Sequence, residues 1–121
     1  MDRTATENNF ITAFEDMTSE TFVVHKAKGF SVDMATADDP VWQGNQIALM
    51  HGEISEAHEG IRKALMDDKL THRKAVEVEL ADVVIRIMNF ARQTGLSVAG
   101  AIVEKNRFNA TRPHMHGDKK F

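Results

Sequence analysis

No cysteine occurs in the sequence. Its absence removes disulfides, thiolate nucleophiles and any zinc site built on sulfur, and it agrees with a cytoplasmic setting. Tyrosine is also missing, tryptophan occurs once, and the only prolines are Pro40 and Pro113. Long apolar runs are lacking: no stretch approaches the roughly 18–20 residues of a membrane span. The opening MDRTATENNF has no basic segment leading into an apolar one, so a secretory signal is not expected. A net charge of −3 supplies no basic field to recruit nucleic acid or a membrane surface. What remains is expected to be one soluble domain spanning residues 1–121.

The charge that is present is unevenly placed. Met1 to Asp39 holds eight acids against three bases, and Glu53 to Asp82 holds eight against five. From Glu104 onward the balance reverses, with five bases and two acids. An acidic middle and a basic tail over residues 110–121 suit a cation and an anion respectively; the plain alternative is solvated helix faces and a solubilising tail.

Hydrophobic spacing predicts an all-α fold, an antiparallel bundle of four to five helices. A first helix is expected over residues 7–26, with Phe10, Phe14, Met17 and Phe22 near one face, followed by a loop over 30–39. Asp38 and Asp39 before Pro40 suit an N-cap and first turn. A second helix over about 41–66 carries the stripe Ile47, Met50, Ile54, Ala57, Ile61 and Leu65. Asp67 and Asp68 begin a short turn. A third helix over about 71–93 carries Val76, Leu80, Val83, Ile87 and Ala91 and should stop at Gly95. Ser97 caps a fourth, over about 98–109. The methionines, such as Met50 and Met88, read as core filling.

Two acid pairs sit beside these stripes. Glu53 and Glu56 are three apart on the second helix, and Glu79 and Asp82 are three apart on the third. Residues three apart share a helix flank. A shift of 26 residues superposes one pair on the other and one apolar stripe on the other. In an antiparallel pair of helices the four carboxylates can therefore converge. Converging carboxylates repel unless a cation compensates them, and hard oxygen ligands favour Mg²⁺ or Mn²⁺. Glu59 and Glu77 read as surface acids, and His51 and His58 as structural residues.

At these residues the sequence resembles the MazG-like nucleoside triphosphate pyrophosphohydrolases. The family signature, ExxE followed by ExxD on the next helix, reads here as Glu53-Ile54-Ser55-Glu56 and, after twenty-two residues, Glu79-Leu80-Ala81-Asp82. The flanks HGEISEAHEGIRKAL and ELADVVIRIMNFA and the tail EKNRFNATRPHMHGDKKF match as well, so the likeness covers about Val41 to Phe121. One departure is Gly52, where many members carry another Glu; Glu59 is a substitute.

The resemblance implies Mg²⁺-dependent cleavage of a nucleoside triphosphate between the α and β phosphates, giving a monophosphate and pyrophosphate. It implies Glu53, Glu56, Glu79 and Asp82 as metal ligands, with Glu53 or Glu56 instead orienting or deprotonating water. It implies Lys105 and Asn109 at the phosphates, Asn106 being the alternative in a shifted register, and Arg112 as a further contact. Trp42 can stack on a base or pack internally, and His114 and His116 read as tail residues. A homodimer or homotetramer is expected, since Val83, Val84, Ile85, Ile87 and Met88 cover more than one helix face. The competing reading is a non-catalytic helical oligomerisation module, which has no use for four converging acids. A nucleic-acid binder is not expected.

Overall fold

The computed structural model describes residues 2–114; His116 and the rest of the basic tail beyond His114 lie outside the described residues. Five helices form: α1 (Ala5–Ala27), α2 (Met34–Ala37), α3 (Pro40–Arg62), α4 (Ala75–Thr94) and α5 (Val98–Ala110), with no strand among the described residues. The all-α expectation holds. No helix of the described residues is long and apolar enough to cross a membrane.

Local chemistry sets the helix ends. Thr4 and Glu7 form a reciprocal cap at the start of α1: the Thr4 amide donates to Glu7 Oε1 at 2.7 Å and the Glu7 amide donates to Thr4 Oγ1 at 3.1 Å. Asp39 caps α3 by accepting from the Val41 amide at 2.9 Å, with Pro40 in the first turn. Gly95 closes α4 in the left-handed region, at φ 73°. Ser97 caps α5 by accepting from the Gly100 amide at 3.3 Å.

Two boundaries differ from expectation. Residues 30–39 are not all loop: Asp33 accepts from the Thr36 amide at 2.8 Å and starts the one-turn α2. The expected helix over 41–66 ends at Arg62, because Ala64 takes φ 51° and the Leu65 amide turns back onto the Gly60 carbonyl at 2.9 Å. Residues 63–74 then fold on themselves. Buried Asp67 accepts from the Lys69 and Leu70 amides at 2.9 and 2.7 Å, and Met66 pairs with Lys74 across an antiparallel bridge. This turn delays the start of α4 to Ala75.

The described residues form two compact units, residues 2–17 with 97–114 and residues 18–96. In the second, α3 and α4 run antiparallel, with Gly60 against Ala75 near the turn and Trp42 stacked on Phe90 at the far end. α2 packs on this pair through Ala37, which is almost fully buried and whose carbonyl accepts from Gln43 Nε2 at 2.8 Å. The C-terminal part of α1 belongs to the same unit: Thr21 reaches Asn89, Arg92 lies over the Phe22 ring, and His25 meets Gln93. In the first unit Arg107 clamps Glu7 with two nitrogens and also donates to the Asp2 carbonyl at 2.6 Å.

The expected core stripes are only partly covered. Met50, Ala57, Val83 and Ala91 are buried, whereas Ile47, Ile54, Ile61, Leu65 and Leu80 are exposed. An apolar stripe more than 100° wide is too broad for one neighbouring helix to cover. The covered half is built from small residues and methionine, and no large side chain among the described residues is fully buried.

Candidate metal centre

Antiparallel packing of α3 on α4 places the middle of one helix against the first turns of the other. Glu53 and Glu56 on α3 thereby meet Glu79 on α4: each offers a carboxylate oxygen, and the three oxygens lie within 4.8 Å of one another. Glu53 and Glu79 are half-buried and Glu56 is exposed. Asp82 is not within this trio. It lies one turn further along α4, half-buried, and shares with Glu53 the wall of a cavity of about 480 Å³. Glu56 and Glu79 line a second recess of about 340 Å³, together with Asp67 and Asp68. The trio thus stands between two hollows.

Repulsion governs the protonation of the trio. Two unit charges about 5 Å apart repel by roughly 3 kcal/mol at an effective dielectric of about 20. Glu79 responds by holding a proton, its pKa pushed up to about 8, first by sharing that proton with Glu53, then by burial and by Glu56. Glu53 moves the other way. Burial raises it, but the hydrogen bond from protonated Glu79 and the Arg86 guanidinium outweigh burial and hold it below the usual carboxylate range. Asp82 is raised by burial and then by the Glu53 charge, with Arg86 opposing.

Arg86 was not singled out in the sequence. It pairs with Glu53 through Nε and Nη2, both at 3.1 Å. A signal was present, since Glu79, Asp82 and Arg86 follow at steps of three and four and so continue one flank of α4. The arginine fixes the Glu53 carboxylate and is the positive charge nearest the trio's most ionised member.

The remaining candidates fall as follows. Glu59 is held by Arg62 at 2.6 Å and Lys63 at 2.9 Å, and Glu77 by Arg73 at 3.0 Å, so both are engaged as surface ion pairs. Trp42 is half-buried with its ring stacked on Phe90, 6.0 Å between centroids and 13° between planes. Lys105, Asn109 and Arg112 belong to the other unit. There Lys105 Nζ lies 4.8 Å and the Arg112 guanidinium 6.0 Å from the centroid of the Phe108 ring, and Asn109 is exposed. His51 and His58 are exposed on α3, and His114 is exposed.

No family model, curated protein or solved structure matches this chain. Three carboxylates that force one of their number to keep a proton form a set of hard, anionic oxygen donors that could hold a metal ion.

Proposed function

We propose that the chain is a divalent-cation-dependent nucleoside triphosphate pyrophosphohydrolase of the MazG-like kind, with Glu53, Glu56 and Glu79 holding the cation and Asp82 beside them. The observation that carries this reading is the convergence of three acids, from two helices, within 4.8 Å. The ExxE and ExxD spacing adds the likeness to a family whose chemistry needs such a centre. When bound, Mg²⁺ neutralises charge developing on a phosphoryl group and lowers the pKa of a coordinated water.

The chain's own residues have distinct tasks in this reading. Glu53, fixed by Arg86, offers an ionised carboxylate throughout the neutral range. Glu79 releases its shared proton as a cation enters, so cation binding is expected to free protons. Arg86 also suits a charge-assisted bond to a phosphate oxygen; Lys105, Asn109 and Arg112 are phosphate contacts by the family resemblance alone. The exposed line Ile47, Ile54 and Ile61, spaced by seven residues, favours assembly into a homo-oligomer. That feature alone would equally serve a non-catalytic oligomerisation module, and the acid trio separates the two.

The test is a panel of canonical and modified nucleoside triphosphates with Mg²⁺, scored for pyrophosphate release. Release from at least one member, abolished by chelation, is expected. No turnover of any member, together with no cation binding, would leave the oligomerisation module as the better reading.

A further inference from the structure

The cavity beside the trio carries groups that the metal centre does not use. Apart from Glu53, Asp82 and Arg86, its walls are His25, Phe30, Gln46, Leu49, Ile85 and Asn89. These are two rings, two aliphatic side chains and two amides. The rings of His25 and Phe30 lie 5.7 Å apart, and Phe30 is largely exposed, so one ring face remains open. A volume of about 480 Å³ lies within the range of small-molecule sites.

The polar groups are set by the fold. Gln93 Oε1 accepts from the Val32 amide at 2.8 Å, which fixes that side chain and turns its Nε2 donor toward His25 Nε2, 3.5 Å away. His25 Nε2 is then the acceptor, and its other nitrogen faces the Phe30 backbone. Burial first, and then the Arg86 charge, hold the His25 pKa below its usual value against the Phe30 hydrogen bond, and the loop carrying Phe30 is tied to α4. Asn89 is buried, and Thr21 Oγ1 lies 3.2 Å from its Oδ1, so among the described residues only one end of the amide is engaged. Gln46 is half-buried and makes no side-chain hydrogen bond within the described residues. Two amides from facing helices therefore present donor and acceptor positions to a hollow with an aromatic wall on one side and Glu53, Asp82 and Arg86 also in its lining.

We propose that this cavity receives the base of a nucleotide, stacked on Phe30 and read by the amides of Gln46 and Asn89, and this deepens the pyrophosphohydrolase reading on which it rests. A base offers a flat face and an edge of adjacent donors and acceptors, and amides complement such edges. Glu53 belongs to both the cavity wall and the acid trio, so a base seated here has its phosphates beside the cation ligands.

The test uses the full chain with Mg²⁺ and measures binding rather than turnover. Titrants are inorganic tripolyphosphate, four nucleoside triphosphate analogues with a non-hydrolysable α–β bridge, and the phosphate-free nucleosides. At least one analogue should bind about tenfold or more tightly than tripolyphosphate, the equivalent of one or two satisfied hydrogen bonds. Phe30→Ala and Gln46→Ala, neither of which breaks a side-chain hydrogen bond among the described residues, should remove most of that advantage and leave tripolyphosphate binding unchanged. Asn89→Ala should do the same, with its melting temperature measured alongside because the amide also meets Thr21. Equal affinity for tripolyphosphate and all analogues, or variants that weaken both alike, would overturn the proposal. Should no phosphate compound bind while a nucleoside still shifts the His25 and Phe30 ring resonances, the base site stands and the pyrophosphohydrolase reading fails. Silence from nucleosides and analogues together overturns the base site.

Discussion

Glu79 is the residue on which the electrostatics turn. Its folded pKa of about 8 lies above the ordinary 4.5, so folding favours its protonated form. The stability it contributes is fully present below pH 4.5 and is lost as pH rises toward about 8. Glu53 is shifted in the opposite sense, and its contribution is lost only as pH falls below the ordinary carboxylate range. Between pH 4.5 and 8 the cation-free protein should therefore melt at progressively lower temperature, and Mg²⁺ should restore more stability at pH 8 than at pH 5. Glu79→Gln should flatten that slope, keep or raise cation-free stability at pH 8 and weaken Mg²⁺ binding. Calorimetric melts with and without Mg²⁺ check this; a cation-free melting temperature that rises from pH 5 to 8 would contradict it. Asp82→Asn should likewise leave cation-free stability equal or higher, because burial and the Glu53 charge already disfavour its ionised form.

At the scale of elements, the α3–α4 pair carries the site, and two glycines show which parts of it are tight. A Cβ on Gly60 would lie 3.1 Å from the Ala75 Cβ and 3.4 Å from the Val76 nitrogen, so Gly60→Val should cost about 1–3 kcal/mol by overpacking. Gly52 sits mid-helix with nothing within 4 Å of such a Cβ, so Gly52→Ala should gain about 1 kcal/mol through helix propensity. Denaturant unfolding of both variants measures the contrast, and similar effects at the two positions would count against the packing described. Much of this level was legible in the sequence. Asp39 before Pro40, Gly95 and Ser97 each carry a mechanism for ending or starting a helix, and all three act where expected. The end of α3 was not legible, because the left-handed residue there is Ala64 rather than glycine. The one-turn α2 depends on a single Asp33 cap, too short for any periodicity to show. At the site, spacing was enough to bring Glu53, Glu56 and Glu79 together. Arg86 is legible only as a continuation of the Glu79–Asp82 flank, and Asn89, a single amide between Met88 and Phe90, has no periodicity to mark it.

For the whole molecule, much of the apolar surface expected to form a core is left bare. Ile54 is exposed in the middle of the Ile47–Ile61 line, and Leu80 and Val84 on α4 are also exposed. Apolar side chains repeated along one face at this spacing are characteristic of helices that associate. Ile54→Lys should shift light-scattering mass from dimer or tetramer toward monomer while leaving helicity intact. A wild-type mass equal to a single chain would contradict the proposed homo-oligomer. The pyrophosphohydrolase assignment itself is tested most directly by following one nucleoside triphosphate with Mg²⁺ by phosphorus NMR, wild type beside Glu79→Gln. Monophosphate and pyrophosphate should appear together as first products in the wild type, with little turnover in the variant. Diphosphate and orthophosphate as first products, or equal turnover by the two proteins, would contradict it.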